Sequence, residues 1–195
     1  MKYVALAAAV SLGMVGAIAA PSQAANFSWT IEYSGWWEGD GGGSILGSLI
    51  ADESAAADGI LSLDELVAWS WNWGGNDGVS AFSISSGDAG AEIQFFDGFY
   101  VDGTANLPDF ADGFDQGTFI GGEFGQYVID FETLTLEDNT TAFPFGGDAS
   151  FGDATAPLGR VAVGDPARVP EPTALLGLLA IAGVGTTLKR RCAIA

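Results

Sequence analysis

Trp36 and Trp37 stand side by side, followed at once by Glu38, Asp40 and the run Gly41-Gly42-Gly43. Indole rings stack on the apolar faces of pyranose sugars and carboxylates accept bonds from sugar hydroxyls, so a tryptophan pair in such a loop is a candidate carbohydrate platform. Packing is the competing use, because the middle of the chain is poor in Leu, Val and Ile and must build its core from Trp and Phe. Other chemistries are excluded by composition. With no His, neither histidine acid–base catalysis nor a His-ligated metal is available. Cys192 is the sole cysteine, which leaves no disulfide framework and no multi-cysteine metal site. A glycosidase needs only two carboxylates, but among 25 acidic residues some pair at a suitable spacing is inevitable, so abundance carries no diagnosis. No Gly-x-Ser-x-Gly elbow or phosphate loop occurs, and no catalytic residues are assigned. The net charge of −19 and pI near 4.1 exclude nucleic acid as a partner, since phosphate backbones are held by clustered Lys and Arg.

The stretch Asp58-Gly59-Ile60-Leu61-Ser62-Leu63-Asp64-Glu65-Leu66 resembles the second half of an EF-hand calcium loop, with an acid before the turn glycine, an apolar residue two positions later and a closing Glu. The resemblance implies Asp58, Ser62 and Glu65 as ligands of a calcium ion, the only cofactor the sequence suggests. The first half departs from the pattern, because its first and third ligand positions fall on Ser54 and Ala56, although Asp52 and Glu53 lie close enough to offer oxygens. The same residues also fit a purely structural reading: Ser62-Leu63-Asp64-Glu65 is a capping box opening one helical turn, preceded by an Asp58-Gly59 turn.

The two ends read as targeting segments. Lys2, an apolar run from Val4 to Ala20, and the small residues Ser22 and Ala24 describe residues 1–24 as a signal peptide cut before Ala25 by signal peptidase. At the other end, Val169-Pro170-Glu171-Pro172 precedes an uncharged stretch, Thr173 to Leu188, and then Lys189-Arg190-Arg191. That stretch is short for a membrane span of about 20 residues, and the cations behind it would stay cytoplasmic, placing the rest of the chain outside. Val169 to Arg191, within a C-terminal segment 169–195, resembles the PEP-CTERM sorting signal of Gram-negative bacteria. The resemblance implies recognition of Val169, Pro170, Glu171 and Pro172 by an exosortase-type membrane protease, with Lys189, Arg190 and Arg191 as the stop-transfer anchor. It further implies an inner-membrane-anchored precursor and a final place at the cell surface or in an exopolysaccharide matrix.

Between these tags, residues 25–168 hold 24 acids against Arg160 and Arg168 alone, a net −22, yet they also hold 22 aromatic residues. Disordered acidic chains lack such side chains, so a folded domain is expected over 25–152. Its period is two: Phe27, Trp29, Ile31 and Tyr33 alternate with polar residues, as do Val67, Trp69, Trp71 and Trp73, then Phe82 with Ile84, Ile93 with Phe95, and Tyr127, Ile129 and Phe131. The phase changes to Leu134 and Leu136, marking a bulge or strand end near Glu132-Thr133. Recurrent Asp-Gly pairs supply turns, and Asp97-Gly98 is the strongest hairpin candidate. The expected fold is all-β, an antiparallel β-sandwich or barrel-like domain with any helix confined to Leu46–Leu66, flanked by the signal peptide and a single C-terminal transmembrane helix. Residues 153–168, with Pro157 and Pro166, read as a flexible spacer. The function this implies is a structural or adhesive role for an exported surface or matrix protein. A carbohydrate-binding β-sandwich that holds exopolysaccharide is the alternative, ahead of a calcium-binding domain or a glycosidase.

Overall fold

A computed structural model describes residues 25–52, 54–102, 107, 115–140 and 147–170. The expected signal peptide over 1–24, the expected transmembrane helix over Thr173 to Leu188, and Glu171, Pro172 and Lys189 to Arg191 lie outside the described residues. Among the described residues no helix is long and apolar enough to cross a membrane.

Strands account for the fold. One antiparallel sheet contains β1 (Asn26–Ser34), β2 (Ser44–Asp52), β4 (Leu66–Trp73), β5 (Phe82–Ser85) and β12 (Arg160–Val163) in the order β12-β1-β2-β4-β5, with β13 (Ala167–Arg168) also on β1. A second contains β6 (Glu92–Phe96), β8 (Gln116–Gly121), β9 (Tyr127–Asp130), β10 (Thr135–Asp138) and β11 (Asp148–Phe151) in the order β11-β10-β9-β8-β6. A short pair joins β3 (Ile60–Leu61), which falls between β2 and β4 in sequence, to β7 (Phe99–Tyr100), which falls between β6 and β8. The alternation dictates the rest, since successive side chains point to opposite faces. Trp29, Ile31, Tyr33, Ile45, Leu49, Trp69, Trp71 and Trp73 are buried on one sheet, and Phe119, Ile129 and Leu136 on the other. They form one common core, so the fold is a β-sandwich.

Trp71 sits at its centre, with ring centroids 4.5 Å from Phe131, 5.2 Å from Phe119 and 5.6 Å from Phe99. Its indole N–H is buried with no hydrogen-bond partner among the described residues. The ring lies flat across β2 because Gly47 is its cross-strand neighbour. A Cβ at residue 47 would fall on the Trp71 ring carbons.

Several expectations are corrected. Helical turns are expected only within Leu46–Leu66, but a 3-10 turn also forms at Glu38–Asp40, and Leu46–Asp52 belongs to strand β2, paired on both sides with Leu46 and Ile50 facing outward while Ile45, Leu49 and Ala51 face the core. The only helical turns in that region are the 3-10 turns Ala55–Asp58 and Leu63–Glu65. Val67 is exposed, because the register shifts by one residue between Ile50 and Ala51, so that Ala51 pairs with Leu66. Asp97-Gly98 is not a hairpin turn: β6 pairs with β8 and β7 with β3, and the Asp97 N–H instead donates to the Asp115 carbonyl at 2.6 Å. Phe95 is 76% exposed at φ +57, out of phase with Ile93, while Phe96 packs against the core. Finally, residues 153–168 are no free spacer, because β12 and β13 pair antiparallel with β1 along Ser34 to Phe27. The phase change after Phe131 is a strand end, with a turn joining β9 to β10.

Candidate functional site

Trp36 and Trp37 follow β1 where the chain turns back towards β2, and both are core residues, 3% and 1% exposed. The Trp37 indole N–H donates to the Leu134 carbonyl at 3.1 Å and its ring packs 5.2 Å from Trp73. Trp36 packs 5.5 Å from Tyr33, and Gly159 lies so close that a Cβ there would overlap the indole nitrogen. Neither ring has a face open to a sugar, which corrects the platform expectation: these two side chains join the two sheets. Asp40, expected beside them as a sugar acceptor, has one carboxylate oxygen 2.7 Å from the Ser150 hydroxyl and 3.3 Å from the Phe151 N–H, so it ties the loop to the edge strand β11.

The Asp58–Glu65 stretch folds into two turns. Gly59 takes φ +85 and Asp58 Oδ1 accepts the Ile60 N–H at 3.0 Å, a local turn bond. Glu65 Oε2 accepts the Ser62 N–H at 2.9 Å and lies 2.7 Å from the Ser62 hydroxyl, closing a capping box on Leu63–Glu65. The structure therefore brings Ser62 and Glu65 together and uses Asp58 separately. Asp52 is held by the Ser54 N–H and hydroxyl at 2.9 and 2.7 Å, which lowers its pKa below the usual carboxylate value, while Glu53 lies outside the described residues. Among the described residues no cluster of three or more His, Cys, Asp or Glu is placed to hold a metal ion.

Other polar arrangements were not visible in the sequence. Asp97, Asp115 and Asp130 converge where β6, β8 and β9 meet. The Asp115 N–H donates to Asp97 Oδ2 at 2.9 Å and Asp115 Oδ1 accepts the Gly117 N–H at 2.7 Å. Burial raises the Asp115 pKa, the charges of Asp97 and Asp130 raise it further, and the Gly117 bond offsets only part of this. Nearby, the buried Tyr33 phenol donates to Gln116 Oε1, Gln116 Nε2 donates to the Leu107 carbonyl at 3.1 Å, and Glu132 Oε1 accepts the Gln116 N–H at 2.7 Å. Burial, with the Glu132 charge second, pushes the Tyr33 pKa well above its ordinary value. Asp88 spans the sheets: it accepts the Ser85 N–H on β5 at 2.7 Å and the Gly122 N–H after β8 at 2.8 Å, and the Gly122 bond is the chief cause of its lowered pKa. Tyr33 and Gln116 are 83 residues apart and Asp88 and Gly122 are 34 apart, so no local pattern announces either contact.

Of the residues that resemble a sorting signal, Val169 and Pro170 are described. The Val169 N–H donates to the Asn26 carbonyl at 2.8 Å, which ties this residue to the start of β1. Compared with protein-family models, with curated proteins and with solved structures, the chain matches none.

Proposed function

We propose that this chain is an exported protein, sorted through an exosortase-type membrane protease to the cell surface or an exopolysaccharide matrix, where it has a structural or adhesive role and no catalytic one. The observation that carries the reading is the order of parts in the tail: Val169-Pro170-Glu171-Pro172, a short uncharged apolar run, then Lys189-Arg190-Arg191, with a signal-like segment at the opposite end. The fold agrees with a sorted cargo domain, since the sheet closes at Arg168 on the first strand and the tail follows directly. Its acids agree with a structural role too: Asp40, Asp58, Asp88, Asp115 and Glu65 each accept a bond from a nearby backbone N–H.

The test is processing. Replacing Glu171 or Pro172 is expected to leave the protein in the inner membrane with its C-terminus intact, read by mass spectrometry of membrane, surface and medium fractions. Mature protein of unchanged length and location in these variants would reject the sorting reading.

A further inference from the structure

The outward face of the first sheet differs in charge from the rest of the domain. Across it, Thr30, Ser48, Ser70 and Ser85 are register partners on β1, β2, β4 and β5, giving one row of hydroxyls. In the next row Glu32 is followed by Leu46, Asn72 and Ser83. On the other side, Ser28 is followed by Ile50 and Ala68. The bonds between Ser28 and Ser48 hydroxyls, 2.7 Å, and between Ser83 and Asn72, 2.7 Å, confirm that these side chains share one surface. In a domain of net −22, the outward positions of β1, β2, β4 and β5 carry just two acids, Glu32 and, at the far corner, Asp52. Arg160, one of two cations between residues 25 and 168, flanks the same face through its Nε bond to the Ser34 hydroxyl at 3.1 Å. The outward positions of the second sheet include Glu92, Asp130 and Glu137.

We propose that this face is a contact between two copies of this chain. The inference is independent of the sorting reading and rests on the sheet alone. Two acidic domains repel wherever carboxylates meet carboxylates. On this face the charges nearly cancel, the side chains are small enough for close sheet-on-sheet approach, and Leu46, 47% exposed, lies between the hydroxyl rows and the sheet corner as an apolar contact for its like. No aromatic ring stands on the outward positions, so the face lacks the stacking surface that a sugar chain needs. The paired strands β1, β2, β4 and β5 hold 9, 9, 8 and 4 residues and cover about 490 Å² in plan, taking about 4.8 Å between strands and about 3.4 Å per residue. A stable interface takes about 800 Å² from each partner, so the dimer is reversible and depends on concentration.

Sedimentation equilibrium of the protein as purified from the cells that make it tests the contact. The expected result is a monomer–dimer equilibrium that tightens as salt is raised, because screening removes the repulsion between two acidic domains. Ser70→Glu and Leu46→Gln are each expected to weaken the dimer about tenfold or more, Ser70→Glu by opposing like charges across the contact. Thr118→Glu, on the outward face of the second sheet, is expected to leave it unchanged. The near-ultraviolet circular dichroism of the tryptophan core verifies that each variant is folded, and either first-sheet variant suffices if the other is not. A monomer at every concentration and salt, a dimer that Thr118→Glu weakens and the first-sheet variants do not, or a face that instead binds neutral polysaccharide in a manner abolished by Ser70→Glu would each overturn the proposal.

Discussion

The Val169 N–H donates to the carbonyl of Asn26 at 2.8 Å, so the last paired backbone among the described residues lies against the first strand. β1 is thereby an interior strand, with β2 on one side and β12 and β13 on the other. Ending the chain after Gly159 removes that outer partner and turns the nine residues of β1 into an open edge. The expected cost is about 3 kcal/mol, counting a few lost ladder bonds at about 1 kcal/mol net each. Aggregation through the bared edge is expected to accompany it. A chain ending at Pro170 is expected to melt like the longer one. A melting series of the two truncations checks both points, and equal melting of the shorter chain would return residues 160–168 to the role of a spacer.

Trp37 gives a second prediction. Its ring is buried against Trp73 and its N–H is satisfied by Leu134. Trp37→Ala is expected to lose about 3–5 kcal/mol in denaturant unfolding, the range of emptied aromatic core sites. Gly47→Val meets the opposite problem, since its side chain must enter the space of the Trp71 ring, and is expected to cost about 1–3 kcal/mol or more by overpacking. Retention on polysaccharide, if the protein has any, is expected to survive Trp37→Phe, which keeps a ring in the core. Loss of retention without loss of stability would restore the tryptophan pair as a sugar platform.

These two sites show what the sequence makes legible. Strict alternation at Trp29, Ile31 and Tyr33 and at Trp69, Trp71 and Trp73 identified strands and their inner faces, because burial on a sheet has a period of two. Alternation says nothing about partners, and so Asp97-Gly98 passed for a hairpin although its flanking strands pair elsewhere. Nor does it survive a register shift: Val67 stood in phase with the tryptophans until the irregularity opposite Ile50 and Ala51 turned it outward. The prolines and sparse periodicity of residues 153–168 suggested a spacer, yet two short strands form there because β1 offers a long free edge. Trp36 and Trp37 lie outside any alternation, and contacts distant in sequence make them core: Leu134, 97 residues from Trp37, accepts its N–H, and Gly159 closes over Trp36.

Two aspartates are expected to respond to pH with opposite signs. Asp88 has a lowered folded pKa, so its contribution is fully present above its unfolded value, near 3.8, and is lost as pH falls through the lower folded value. Asp88→Asn is therefore expected to flatten the acid limb of a stability–pH curve while lowering stability at neutral pH. Asp115 has a raised folded pKa, so its penalty grows as pH rises through about 3.8 and is complete above the folded value. Asp115→Asn keeps an oxygen for the Gly117 N–H and removes the cost of burying the charge, together with the smaller repulsion from Asp97 and Asp130. It is expected to stabilise the protein at neutral pH by about 0.2–1 kcal/mol, the range of solvent-screened charge pairs, and to have no effect well below pH 3.8. Thermal melts of both variants across the acid range check the signs, and destabilisation by Asp115→Asn at neutral pH would contradict the assigned cost of burying the charge beside Asp97 and Asp130.

Calcium offers the last test, because the net charge and the Asp58–Glu65 turn predict different responses. A specific site would raise the melting temperature saturably, with calcium far better than magnesium, since magnesium dehydrates reluctantly and demands a small octahedral cage. A ligand at about 100 times its dissociation constant would add about 2.7 kcal/mol. In the structure Glu65 Oε2 already accepts the Ser62 N–H, and Asp58 Oδ1 accepts the Ile60 N–H, so a bound ion would have to replace bonds the turns make for themselves. The expected outcome is modest and equal stabilisation by both cations through screening of the dispersed carboxylates. Glu65→Gln is expected to change little, because Gln can also close a capping box, whereas Glu65→Ala is expected to lose about 0.5–1.5 kcal/mol, the net worth of the bond to the Ser62 N–H. Melting with each cation in turn, for the natural protein and both variants, separates the cases. A calcium-specific rise that Glu65→Gln abolishes would establish a metal site at Asp58, Ser62 and Glu65 and reassign the turn from structure to binding.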